Sequence, residues 1–373
     1  MAMLTTEKKV DRKGSSKVSQ ANEMIKWSWA CRILDKNNEF KVDNEHNVNE
    51  PAAGDVAVFR VSRIGNHGRI VSSDNRKIRI YPGDLIVGVF GNRYATDAFE
   101  AEIEGLKDLS LLTAAGMVGT VKSKHYSVGR PTRLSFVGFL KDMSDHKVNL
   151  KETQFKKSEP TTGLKNLIII VGAGMNSGKT TACRRLIKSF SQSGYRVAAF
   201  KLTGSVSNRD QDEMSAAAAS HTLDFSDFGF PSTYKCAKEE LIDLFKTMVA
   251  SIEKVNPDVA LMEIADGVLQ RETQLLLSDP LIKQSAKGIV LTAESATSAL
   301  YVVEYLKQMG YRVIAVSGAI TSSPLYVKEF EQNCNIPVLP SIGDDEKIPQ
   351  YLVNLIREKR PKKIANDELT ISC

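Results

Sequence analysis

Cysteine is scarce in this 373-residue chain, and its five copies, Cys31, Cys183, Cys236, Cys334 and Cys373, are scattered. An odd number with no C-x-x-C pair leaves no zinc knuckle and fits reduced thiols in a cytoplasmic protein. The five histidines are equally dispersed and form no H-E-x-x-H, so the helical zinc-protease pattern is absent. No run reaches the roughly 18 consecutive apolar residues that would span a membrane. The opening stretch "MAMLTTEKKVDRKGSSKVSQ" lacks the apolar segment of a secretory signal and reads as a polar, mobile arm over 1–20. Positive charge is in modest excess, +6, and much of it sits in "TEKKVDRKGSSK" and in the basic tail "IREKRPKK". No aromatic residues interleave with those runs, so they read as solvated ends rather than a nucleic-acid surface.

What is present divides the chain in two. The length alone favours two domains. From about 51 to 140 the pattern is short and β-like: "DVAVFRVSRI", "RKIRIYPGDLIVGVFG" and "RLSFVGFL", separated by turn signals. This predicts a small barrel or sandwich, placed at 21–141. The polar, aperiodic stretch 142–164 reads as a linker. From Lys165 onward, aliphatic strands ("NLIIIVG", "RVAAFK", "DVALME", "KGIVLT", "RVIAVSG") alternate with amphipathic helices expected over 179–192, 237–255, 295–309, 324–333 and 347–358. Continuous apolar strands between helices predict an α/β domain over 165–358, with a mostly parallel sheet covered on both faces. A polar basic tail, 359–373, follows. Ligands in such sheets sit beyond the carboxyl ends of the strands.

One such end carries the chemistry. "LIIIVGAGMNSGKTT" places a glycine-rich turn between a strand and a helix. The usual phosphate-loop pattern is G-x-x-x-x-G-K-[ST], but here five residues separate Gly172 from Gly178. The physical requirements are nonetheless met: backbone N–H groups from Gly172, Gly174, Asn176, Ser177 and Gly178, and a helix N-terminus to attract an anion. Lys179 adds a full charge for β- and γ-phosphates, the Thr180 hydroxyl suits Mg²⁺, and Thr181 completes the turn.

The longer spacing resembles the loop of the dethiobiotin synthetase branch of P-loop proteins, G-x-x-x-x-x-G-K-T, within the wider group that holds MinD-type ATPases, signal-recognition GTPases and the molybdopterin-guanine dinucleotide adaptor. The likeness covers about 165–345. The layout with a β-rich front half also resembles uncharacterised bacterial proteins. The resemblance implies a P-loop NTPase fold that binds ATP with Mg²⁺ and phosphorylates or ligates a small carboxylate or amine metabolite, commonly as a dimer. It implies an active-site lysine at the end of the second strand, here Lys201 in "RVAAFKLTG", and a metal-side acid, here Glu263 in "LMEIADG". A further metal aspartate is implied between them, Asp210 or Asp212. The sequence departs from that family in lacking a proline after Lys201 and the adenine-holding asparagine in "SGAITSSP". No N-K-x-D appears, so GTP has no positive support.

Each candidate has a plainer reading. Glu263 either faces a metal, a donor or water, or is a surfaced strand end. Lys201 either meets substrate or phosphate or is merely exposed. Asp266 is a site or turn residue. In "LDFSDFGFPSTY", Asp224, Asp227, Ser232, Thr233 and Tyr234 either line a substrate pocket or belong to a loop pinned by its phenylalanines. His67, Arg69, Asn92, Arg93 and Tyr94 are turn residues or ligand contacts from the front half. Two other functions stay open: a nucleotide-driven switch or assembly ATPase, against which stands the absence of a lysine at Ala173, Gly174 or Met175, and an N-acetyltransferase holding acetyl-coenzyme A on the loop.

Overall fold

The computed structural model describes residues 25–35, 38–43, 50–340 and 349–357. The arm over 1–20 and the tail over 359–373 lie outside the described residues.

The later half is built on six strands, all parallel, in the spatial order His221–Asp224, Val197–Lys201, Val259–Ile264, Leu167–Gly172, Ala286–Thr292, Val313–Ser317. The strand that feeds the glycine loop is central, and it bonds directly to the strand carrying Glu263. Alternation along it explains the unbroken aliphatic run. Ile168 and Ile170 pack with Leu186, Ile187 and Phe190 on one face. Leu167, Ile169 and Val171 pack with Leu244, Phe245, Met248 and Leu306 on the other. Each such fully buried side chain contributes on the order of 2 kcal/mol of transfer free energy. With both faces covered, no position of this central strand is left for a solvated side chain.

The five expected helices are Lys179–Gln192, Lys238–Glu253, Ala296–Gln308, Pro324–Glu331 and Gln350–Arg357. Six more elements are not among those expected: helices Arg209–Ala216, Arg271–Leu277 and Pro280–Ser285, the single-turn helices Phe225–Phe228 and Ala319–Ser322, and the edge strand His221–Asp224. Arg209–Ala216 buries only Met214, so it has almost no apolar periodicity to read.

In the earlier half, the strands Leu85–Phe90, Val56–Arg63, Thr132–Lys141, Leu109–Leu111 and Met117–Lys124 pair in that order, and the last pairs back onto the first. The ring is therefore a closed five-stranded barrel, not a sandwich. Phe59, Phe90, Leu111, Val118 and Phe139, contributed by all five strands, fill it. Phe59 and Phe90 meet edge-on with centroids 5.3 Å apart. Closure leaves few free strand edges.

The polar stretch 142–164 contains the helix Leu150–Gln154, capped by Asn149, whose side chain accepts from the Lys151 and Glu152 N–H groups. Leu150 and Leu164 are buried. Side chains bind the two halves together: Arg32 donates to Ser226 Oγ at 3.1 Å and pairs with Asp227, Lys235 pairs with Glu102 at 2.5 Å, and the rings of Tyr94 and Tyr234 lie 5.4 Å apart.

Candidate functional site

The glycine turn sits beyond the carboxyl end of the central strand, and its shape is set by close backbone approaches. Gly178 has φ +99°, and a Cβ there would lie 2.8 Å from Gly318 Cα. Gly172 is equally constrained: a Cβ would stand 2.3 Å from Ser177 Oγ and 2.8 Å from Lys179 Nζ. Buried Ser177 bonds Thr292 on the next strand at 2.7 Å, and its carbonyl accepts from Ala319 N at 2.9 Å. At the tip, Asn176 adopts φ +63° and donates to Asp97 of the barrel half at 2.7 Å. Lys179 is buried and donates to the Gly174 carbonyl at 2.9 Å. Burial holds its pKa below the ordinary lysine value, against the pull of Glu263 and Asp266.

Beside the turn, four polar side chains from four elements converge. Thr180 donates to Asp210 Oδ1 at 3.0 Å. Lys201 lies 2.5 Å from Asp210 Oδ2 and 3.3 Å from Glu263 Oε1. Strand register explains the second pair, since Lys201 sits directly opposite Glu263. Burial opposes charge on Lys201, but the facing Asp210 and Glu263 outweigh it and hold the ammonium above its usual range. Burial also opposes charge on Asp210, but the Lys201 charge and the Lys201 and Thr180 hydrogen bonds keep it below the ordinary carboxylate value. For Glu263, burial prevails over Lys201, so its pKa rises. Its second oxygen, Oε2, is buried with no hydrogen-bond partner. A buried acceptor without a donor is costly, and such an atom fits a site built for a cation or a donor-bearing ligand.

Around these groups is a chamber of about 540 Å³. Met175, Asn176, Gly178, Lys179, Thr180 and Thr181 form one wall, with Lys201, Asp210, Glu263 and Asp266 behind them. His67, Val71, Arg93, Tyr94, Thr113 and Ala114 of the barrel half form the opposite wall. His67, Arg93 and Tyr94 thus reach the same space as the loop, whereas Val71 and Thr113 carried no recognisable signal. Apposition of residues roughly a hundred positions apart leaves no mark on local pattern. Asp266, also on the wall, has its pKa raised by burial despite Lys179, Lys201 and Arg93 nearby.

Other expected site residues lie elsewhere. Asp212 does not approach Thr180; it accepts from Asn75 at 3.0 Å and from Asn208 at 3.0 Å on the outer side of its short helix. Two residues along a helix point about 200° apart, so Asp210 and Asp212 cannot share the cluster. Asp224 and Asp227 do not line the chamber. Asp224 caps the short turn Phe225–Phe228, accepting from Ser226 N at 2.9 Å, and Asp227 pairs with Arg32 and accepts from the Asp224 N–H at 2.8 Å. Ser232 Oγ accepts from Tyr234 N at 3.0 Å, and Thr233 Oγ1 accepts from Gly204 N at 3.0 Å. Tyr234 lies against Tyr94, the rings tilted by 44°, and is not among the residues of the chamber wall. This loop is held by its own hydrogen bonds and by Phe225 and Phe230, both fully buried; it braces the wall from behind.

No protein-family model matches the chain, and no curated protein matches it. Solved structures match parts of the chain. They include the signal recognition particle receptor FtsY of Elizabethkingia anophelis, at 16% identity over 53% of this chain and 65% of that one, with a TM-score of 0.34. FtsY of Thermotoga maritima shares 16% identity over 58% of this chain and 80% of that one, with a TM-score of 0.33. The kinase domain of the Escherichia coli tyrosine kinase ETK shares 12% identity over 41% of this chain and 66% of that one, with a TM-score of 0.29. This chain spans just under two thirds of the first receptor's length. At such scores the likeness says nothing about what this chain binds. The fold class rests on the structure itself: a phosphate-loop turn on a parallel α/β sheet, preceded by a β-barrel.

Proposed function

We propose that the chain is a nucleotide-dependent enzyme that transfers the terminal phosphoryl group of ATP to a small metabolite, in the manner of the dethiobiotin synthetase branch. The observation that carries this reading is the two-walled chamber, with the glycine turn and its lysines on one side and barrel side chains on the other. A chamber that leaves room beside a phosphate loop suits a second small reactant.

Phosphoryl transfer asks for alignment and charge neutralisation more than for covalent help. In this reading the N–H groups of the turn and the N-terminus of helix Lys179–Gln192 cradle the phosphates. Lys179 turns from the Gly174 carbonyl to the phosphate oxygens. Lys201 supplies a second ammonium, and its bond to Asp210 keeps it charged. Thr180, Asp210 and Glu263 offer the all-oxygen donor set that Mg²⁺ prefers, and the unpartnered Glu263 Oε2 supports the fit. Bound there, Mg²⁺ would neutralise charge on the phosphate oxygens. In this reading the barrel wall shields the transfer from water, which would otherwise compete as acceptor.

Thermal shift with nucleotide tests the reading. ATP with Mg²⁺ is expected to raise the Tm of the wild type, and Lys179→Ala is expected to lose that rise while keeping its own cooperative melt. Unchanged ATP affinity in the variant refutes the assignment. A shift with acetyl-coenzyme A and none with ATP would replace it.

A further inference from the structure

Next to the chamber, on the barrel half, lies a second cavity of about 500 Å³, lined among others by Asn66, His67, Arg69, Arg79, Tyr81 and Ala114. His67 and Ala114 belong to the walls of both spaces, so the two adjoin. The strand Arg69–Val71 passes from one to the other. Ile70 is fully buried in the packing of the barrel. Arg69 and Val71, on the opposite side of that strand, line the groove and the chamber in turn.

The groove is unusual in its charge. Arg69 and Arg79 are directly opposed in the antiparallel pair formed with Lys77–Arg79. Like charges in that position repel. Nearby, Lys26 pairs with Asp84 and Arg76 with Asp74. Neither Arg69 nor Arg79 has an ion-pair partner among the described residues, and no Asp or Glu lines the groove. Two facing guanidiniums with no acidic partner among the described residues, in a groove that shares His67 and Ala114 with the chamber of the glycine turn, form a planar, many-donor clamp for an oxyanion.

We propose that this groove binds the anionic end, carboxylate or phosphate, of an elongated organic acid, whose chain passes His67 so that its far end meets the phosphate loop. The proposal rests on the phosphoryl-transfer reading of the chamber and adds its substrate class and the role of the barrel. Burial and the Arg93 charge hold the His67 pKa below its ordinary value, so the residue common to both walls presents a neutral ring that an aliphatic chain can lie against. Arg93, whose Nη1 donates to the Leu112 carbonyl, stands further in, on the chamber wall.

The test is titration calorimetry on the full chain with adipate and with glycerol 3-phosphate as probes, with and without ATP and Mg²⁺. The comparison protein is the Arg69→Glu/Arg79→Glu double variant. Both positions are exposed, so the fold is expected to survive, and an unchanged ATP-induced thermal shift verifies it. At least one probe is expected to bind the wild type, and its affinity to fall by about tenfold or more in the variant, the size of a lost charge-assisted contact. Which probe binds separates the carboxylate from the phosphate source. Equal affinity in both proteins overturns the proposal, and so does failure of both probes to bind the wild type. If ATP fails to shift the wild type while a probe still binds through the arginines, the phosphoryl-transfer reading falls and the anion groove stands.

Discussion

Replacing Lys201 with methionine preserves most of the side-chain volume and removes one ammonium from between two acids. In the native chain that ammonium lies 2.5 Å from Asp210 and 3.3 Å from Glu263, and all three side chains are 15% exposed or less. Deleting one partner of a buried ion pair costs about 3–5 kcal/mol, because the remaining charge is left unsatisfied. Relief is available here, since Glu263 already has a raised pKa and can take up a proton. That places the expected loss near the lower end, about 3 kcal/mol. At about 2–4 °C per kcal/mol for a unit of this size, the Tm should fall by roughly 6–12 °C. The pH dependence has a definite sign. In the variant, burial is no longer offset by the Lys201 charge and is expected to raise both carboxyls, so their contribution should be intact below the ordinary carboxylate range and lost as pH climbs through the raised values. The deficit against wild type should therefore be larger at pH 8 than at pH 5. Added Mg²⁺ should recover part of it in the variant by mass action. Differential scanning calorimetry at both pH values, with and without Mg²⁺, measures all of this. A second variant, Lys201→Met/Glu263→Gln, should regain stability relative to the single change, since the two sites are in contact. If Lys201→Met melts with the wild type at pH 8 and ignores Mg²⁺, the ammonium is not balancing a buried acid pair, and the cluster has been misread.

Two further outcomes follow from the same geometry. Gly178→Ala introduces a Cβ at a positive φ and within 2.8 Å of Gly318 Cα; it should destabilise by about 1–3 kcal/mol in chemical denaturation and abolish the ATP-induced shift, and a wild-type shift would show that the turn has more room than its contacts imply. Asp224→Asn should flatten the stability profile between pH 5 and 8. Burial, reinforced by Asp227, raises the Asp224 pKa to about 7, so wild-type stability is fullest below the ordinary carboxylate value and is lost as pH rises through 7, a slope that the amide cannot produce; an unchanged slope in denaturant titrations removes Asp224 as its source.

The parts of this protein that were legible in its sequence are those whose physical cause is local. A strand buried on both faces has to be continuously aliphatic, so Ile168 to Val171 declared itself, as did the turn after it. Lys201 and Glu263 were findable because each ends an apolar run, and parallel register then sets them side by side. Helix Arg209–Ala216 was hidden because one buried methionine is not a period, and with it went the means to choose between Asp210 and Asp212. The loop from Asp224 to Tyr234 left two readings open in the sequence, a substrate pocket or a loop pinned by its phenylalanines, and its residues take the second. Carboxylates and hydroxyls in a row look like a pocket, but Arg32, nearly two hundred residues earlier, claims Asp227. Barrel closure was likewise set by one long-range pairing, Val89 and Phe90 with Met117 and Val118, which no turn residue announces.

The hydrogen bond from Asn176 to Asp97 fastens the tip of the phosphate turn to a turn of the barrel half that precedes it in the chain. A fragment beginning near Lys165 would keep every residue of the turn yet leave one side of it bare to bulk solvent. If the proposed phosphoryl transfer holds, such a shortened protein should spill phosphoryl groups onto water where the whole chain would be insulated, so the barrel's worth is measured by the leak that follows its loss.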